Sequence, residues 1–133
     1  IGRGVEAEPL RREAAALGVS LQLDDGWASD EEIVAAYAKA AVVVCPSRFE
    51  GFGLTPMEGL AMQRAVVASD IPVHREFVGG QVRLFAPDDA AALAQRCVEA
   101  LAAPGVPSAE PLPELTISAC ADRLEAAIRP YLS

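Results

Sequence analysis

Residues Val42 to Glu58 read VVVCPSRFEGFGLTPME, and the fold is decided there. Val42-Val43-Val44-Cys45 is a continuous, largely β-branched apolar run, the pattern of a strand covered on both faces. Pro46 to Gly53 contains two glycines and reads as a loop. Thr55, Pro56 and Glu58 then have the order of an N-cap, a first helical residue and a third, so a helix is expected over about Pro56 to Met62. Ala65-Val66-Val67-Ala68 follows at once as a second buried strand. Strand, glycine loop, helix and strand make a parallel βαβ unit.

Outward from this unit the alternation continues. Upstream, Leu10, Ala14 and Leu17 recur on one helix face, with Pro9 in the first turn and Gly18 as the stop. Val19 to Leu23 alternates as a short strand. Asp24-Asp25-Gly26 turns the chain, and Ser29-Asp30-Glu31-Glu32 has the spacing of a capping box. The helix behind that box presents Ile33, Ala36, Tyr37 and Ala40 inward. Downstream, Pro72 opens a short helix to Val78, and Gln81 to Phe85 reads as a weaker strand. Asp88 is placed to cap a long helix with Leu93, Cys97, Ala100 and Leu101 as its apolar stripe. Residues 104–114 hold four prolines and form a connector, and 115–132 a last helix with Cys120, Leu124 and Ile128 on one side. The fold expected over 1–133 is therefore α/β: a Rossmann-like parallel sheet with helices on both faces, its ligand outside the carboxyl ends of the strands.

The totals agree. Of 133 residues, 52% are hydrophobic and 23% charged, enough to build a core. The net charge of −8 comes with ten arginines, the single lysine Lys39 and no basic run, which excludes a nucleic-acid footprint. Cys45, Cys97 and Cys120 are widely spaced and odd in number, as expected of reduced, core-filling thiols in a cytoplasmic protein. No metal constellation is visible. The opening Ile1-Gly2-Arg3-Gly4 lacks an initiator methionine and reads as the end of a strand, so the chain is expected to be an N-terminally truncated fragment.

Two readings of the loop stand side by side. Gly51 and Gly53 would let a ligand approach the backbone, where amides from Gly53 to Met57 and the positive end of a helix dipole face an anion such as a diphosphate. Alternatively the glycines merely shape a tight turn and Thr55 with Glu58 closes a capping box that needs no ligand.

EGFGLTPME resembles the E-x7-E motif of retaining glycosyltransferases of the GT-B fold, in the large family 4 grouping. Val42 to Gly79 is similar to that family's donor-site core almost throughout. Similarity is weaker at Gly2-Arg3-Gly4, at the Gly26 turn and in the closing LTISACADRLEAAI segment. The resemblance implies that the chain is the C-terminal, nucleotide-sugar-binding half of such an enzyme. Transfer would run from a GDP- or UDP-linked sugar to a hydroxyl acceptor with retained anomeric configuration. It implies no cofactor beyond the donor substrate, and an acceptor-binding N-terminal domain that lies outside this chain and could associate with a membrane. Glu50 would lie beside the donor sugar as the catalytic residue, and Glu58 would bind the ribose. Gly51 and the backbone of Phe52, Gly53, Leu54 and Thr55 would meet sugar and diphosphate. Gly2, Gly4, Gly26 and Trp27 are expected near the base or the phosphates. The DIPVHREF stretch is similar to mannosyltransferases of polysaccharide assembly. Gln63 and Ala65 depart from the glycine and proline common in the family, and its phosphate-clamping arginine and lysine would precede Ile1.

Three other readings compete: a nucleotide-sugar-binding module without chemistry, a glycosidase using the two glutamates, and a nucleotide-sugar epimerase. His74, the single histidine, invites a role as general base but has no partner at suitable spacing. Arg48 and Arg75 would meet phosphate or pair with Glu50 and Glu76.

Overall fold

The computed structural model describes residues 7–23, 26, 28–104 and 117–129. They fall into two compact units, 1–36 and 37–133. The first contains α1 (Ala7–Ala16) and most of α2 (Asp30–Lys39). Leu10 on α1 is 46% exposed, and the helix buries none of its residues. At the start of α2 the expected capping box is present: the Ser29 amide donates to Glu32 Oε2 at 2.8 Å, and the Glu32 amide donates to Ser29 Oγ at 3.2 Å.

The strand expected over Val19 to Leu23 does not form. Alternation alone makes no strand without a partner for its backbone, and Val19 and Leu21 are both exposed.

The second unit carries a parallel sheet of β1 (Val42–Cys45), β2 (Ala65–Ser69) and β3 (Arg83–Phe85), in the order β1-β2-β3. The register pairs Val43 with Val66 and Ala68 with Leu84. Between and after the strands run α3 (Leu54–Ala61), α4 (Pro72–Val78) and α5 (Ala90–Ala102). All five residues of β2 are buried. Their alternation divides the core. Val66 and Ala68 join Val43, Cys45, Met57, Leu60, Val78 and Val82 on one face, and Tyr37, Ala40 and Phe77 pack against that cluster. Ala65 and Val67 join Phe85 and Ala100 on the other, with Leu93 and Cys97 of α5. Helices thus cover both faces of β2, as expected of a Rossmann-like sheet. Each fully buried valine contributes roughly 1.5–3 kcal/mol of apolar burial. Of the residues expected inward on α2, Ala36 is exposed.

Close packing of α3 on the sheet depends on Gly59. A Cβ there would come within 2.9 Å of Val66 Cγ2 and 3.3 Å of Val43 Cβ. Two further expectations shift by small amounts. Asp89, not Asp88, caps α5, accepting from the Ala92 amide at 2.9 Å. Asp88 instead takes a left-handed conformation (φ 65°), which a short polar side chain tolerates. In the last helix, α6 (Ile117–Ile128), Leu124 is exposed; Cys120 and Ile128, from the expected stripe, lie outside the described side chains. Residues 105–116, most of the expected connector, are also outside the described set.

The departure from the family at Gln63 has a physical reading. Helix α3 ends with the Gln63 amide donating to the Leu60 carbonyl and the Arg64 amide to the Gly59 carbonyl, both at 2.9 Å. That is a Schellman ending, and it places Gln63 in the left-handed region at φ 56°. A Cβ is disfavoured there. Gln63→Gly is expected to raise unfolding stability by about 1 kcal/mol in urea titration; an unchanged or lower midpoint at equal slope contradicts this ending.

Candidate donor site

The carboxyl ends of the three strands feed the loops 46–53, 70–71 and 86–89, all within the second unit. Buried β1 delivers Cys45, and Pro46 to Gly53 crosses to the start of α3. The helix begins two residues earlier than the sequence suggests. Gly53 is its N-cap, in the left-handed conformation (φ 79°, ψ 52°), and no side chain caps it. Thr55 is therefore inside the helix, and the expected Thr55–Glu58 capping box is not made. Pro56 stands third rather than first, where a missing N–H still costs nothing. With Leu54 as first residue, the Met57 amide enters the helical ladder. The amides left without an intrahelical acceptor are those of Gly53, Leu54 and Thr55, a smaller set than Gly53 to Met57.

The two glycines of the loop differ. A Cβ on Gly51 would meet nothing within 4 Å, so neither sterics nor backbone angle demands glycine there. Its bare backbone is open to solvent, as a close-approaching ligand requires. Gly53 is favoured by its positive φ, and a Cβ there would also lie in tight contact with the His74 ring, 3.3 Å from Cδ2. Phe52 is turned aside onto α4, its ring 5.0 Å from that of Phe77 and tilted by 50°. Phe49 and Leu54 are exposed beside the loop.

Both glutamates are engaged by neutral donors. Glu50 is half-buried, and its Oε1 accepts from the Ser47 hydroxyl. Exposed Glu58 accepts from the Tyr37 hydroxyl at 2.7 Å. This bond replaces the capping box as the fixed point of Glu58. Burial first, then the bond to Glu58 and its charge, push the Tyr37 phenol well above its usual range. Cys45 is buried, within electrostatic reach of both carboxylates. Burial, with the charges of Glu50 and Glu58 added, pushes its thiol up to about 12, so it is a packed neutral group and no nucleophile.

The two arginines pair differently from expectation. Arg48 Nε donates to Asp88 Oδ1 at 2.7 Å, not to Glu50, linking the loops after β1 and β3. Arg75 grips Asp70 through two nitrogens, not Glu76, and holds that carboxyl below its usual range. Both guanidinium groups are largely exposed, and such pairs add little to stability. His74 is 1% exposed, so its ring lies beneath the surface of the loop and not on it. Glu50, Gly51, Phe52, Gly53, Leu54, Thr55 and Glu58 are brought together at one sheet edge. Gly26 lies in the first unit, exposed and with open space around it. Gly2, Gly4 and Trp27 are outside the described residues. Sequence reading missed Tyr37, Ser47 and Ser69 as supports. Tyr37 had a signal, since it faces the core one helix upstream; the serines had none.

An open glycine, three free amides at a helix start and two flanking carboxylates make an arrangement suited to an anion bearing hydroxylated groups on either side. Residues 1–103 match the family model described as glycosyl transferases group 1. The lipopolysaccharide core biosynthesis mannosyltransferase LpcC of Rhizobium leguminosarum bv. viciae is 36% identical over 103 residues, 75% of this chain and 29% of that protein. The O-antigen chain mannosyltransferase RfbU of Salmonella typhimurium is 41% identical over 61 residues, 46% of this chain and 17% of that protein. An MMP alpha-(1->4)-mannosyltransferase of Mycolicibacterium hassiacum is 36% identical over 85 residues, 61% and 21% of the two chains. The chain thus spans less than a third of the length of these relatives. No helix among the described residues is long and apolar enough to cross a membrane.

Tyr37→Phe tests the support of Glu58. Loss of one partly exposed hydrogen bond should cost about 0.5–1 kcal/mol in urea unfolding at pH 7. The raised phenol means that this contribution is complete below the ordinary tyrosine pKa of about 10 and is lost as pH climbs through the folded-state value. The gap between the two proteins should therefore narrow only at alkaline pH. Equal stability at pH 7 contradicts the bond.

Proposed function

Because the chain belongs to the group 1 glycosyl transferases, we propose that it forms the donor-binding half of a retaining enzyme that transfers mannose from a nucleoside-diphosphate sugar to a hydroxyl acceptor. The observation that carries this reading is the start of α3: left-handed Gly53 presents the amides of residues 53–55 with no side chain capping them. Negative charge grows on the diphosphate as it departs, and fixed amides at a helix N-terminus stabilise it without reorganising. Glu50, held by Ser47, faces the sugar and bears part of the positive charge developing there. Glu58, held by Tyr37, accepts hydrogen bonds from the ribose hydroxyls.

A mannosyl donor is supported by the names of the relatives, each called a mannosyltransferase, and GDP is the nucleotide we assign to it. Residues 1–133 belong to the donor-binding part of that enzyme. A separate acceptor-binding domain completes the enzyme and attaches it to the cytoplasmic face of a membrane. No cofactor beyond the donor and no metal enter the reaction.

Glu50→Ala in the full-length natural protein should lower transfer from GDP-mannose by about 100-fold or more, a magnitude typical of removing one transition-state electrostatic contact. GDP binding by calorimetry should change by less than a factor of about three, an interval well under one decade of affinity. Turnover like that of the unmodified protein would contradict the role given to Glu50.

A further inference from the structure

Beneath the glycine loop sits a buried, polar side chain that the proposed chemistry does not use. His74 is 1% exposed and lies on α4, between the end of β2 and the N-cap of α3. One edge of its ring is anchored. Nδ1 lies 2.8 Å from the Ser69 carbonyl, and since a carbonyl only accepts, this nitrogen carries the hydrogen. The other edge, Cδ2 and Nε2, abuts Gly53: a Cβ there would lie 3.3 Å from Cδ2 and 3.5 Å from Nε2. Nε2 itself is buried and has no hydrogen-bond partner among the described residues. Stability alone would favour an apolar side chain here, because an unmatched buried polar atom costs free energy. A planar ring with a donor at one edge and bulk at the other satisfies both neighbours at once.

From the anchored edge a chain of hydroxyls leads to the first glutamate of the site. The Ser69 hydroxyl, 3.4 Å from His74 Nδ1, donates to the Ser47 carbonyl, and the Ser47 hydroxyl donates to Glu50 Oε1. The end of β2, the loop after β1, and Glu50 are thereby held in one set of contacts.

We propose that His74 is a positioning residue: its ring props Gly53 in the left-handed conformation that exposes the first amides of α3, while its anchor on Ser69 ties that geometry to the Ser47–Glu50 pair. This inference rests on the donor-site reading above. His74 acts on the anion through Gly53 and does not touch it.

The test is calorimetric binding of GDP and UDP to the full-length natural protein and to four variants. His74→Ala should weaken the preferred diphosphate about tenfold, as expected when binding groups lose their preset geometry. Val82→Ala, a cavity elsewhere in the same core cluster, should lower Tm while leaving affinity within about twofold. Gly53→Ala should also bind weakly. Because His74 acts through Gly53, the double variant should bind no more than about twofold worse than Gly53→Ala alone, the mark of coupled sites. If the two losses multiply instead, or if His74→Ala binds as tightly as the unmodified protein, the inference is overturned. Should His74→Ala fail to fold, His74→Asn keeps an N–H donor for the Ser69 carbonyl and empties the space under Gly53. It must then lose affinity, and unchanged binding overturns the inference equally. If the unmodified protein binds neither nucleotide, the donor-site reading falls and this inference with it. Normal binding with indifferent His74 variants removes this inference alone.

Discussion

Burial of β2 on both faces is the constraint from which the rest of the second unit follows. A parallel strand covered on two sides has no solvent face to accept polar residues, so Ala65 to Ala68 are apolar and their alternation assigns α3 and α4 to one side and α5 to the other. The strand must end somewhere, and Ser69 is where it turns polar. At 1% exposure its hydroxyl and carbonyl both need partners. The hydroxyl donates to the loop after β1, and the carbonyl accepts from His74. The edge at which the hydrophobic strand stops is therefore also the edge at which the loop becomes held in place.

Under the proposed function, a chain of net charge −8 has to bind an anion. In that proposal the attraction comes from backbone amides at the start of α3, which follow a glycine in a conformation other residues resist. Among the described residues of these loops, Arg48 is paired with Asp88 and Arg75 with Asp70. The carboxylates flanking the cradle are kept in position by hydroxyl donors, Ser47 and Tyr37, which orient them while leaving their charge in place. Gly53 stands at this point with a positive φ, and a Cβ on it would press against the His74 ring.

Much of this was legible in the residues alone. The β-branched run of β1 and the apolar β2 announced a doubly covered sheet, and Pro72 marked the start of α4. The motif glutamates and glycines lie in the loop after β1 and the first turns of α3. What was not legible depended on tertiary partners. Val19 to Leu23 has a strand's alternation but no neighbour to pair with among the described residues. Thr55 has the spacing of an N-cap, yet Gly53 starts the helix earlier, and Tyr37, 21 positions away in the chain, takes Glu58 instead. Asp88 and Asp89 are equivalent as letters; the backbone angle chooses Asp89. Ser47 and Ser69 carry no sequence signal because a supporting hydroxyl needs only to be near.

The central claim is that the uncapped start of α3 receives the diphosphate. A crystal structure of the full-length natural protein with GDP bound tests it most directly. The account predicts phosphate oxygens within hydrogen-bond distance of the Leu54 and Thr55 amides, with ribose hydroxyls on Glu58. A diphosphate bound elsewhere, with those amides still solvated, would contradict it.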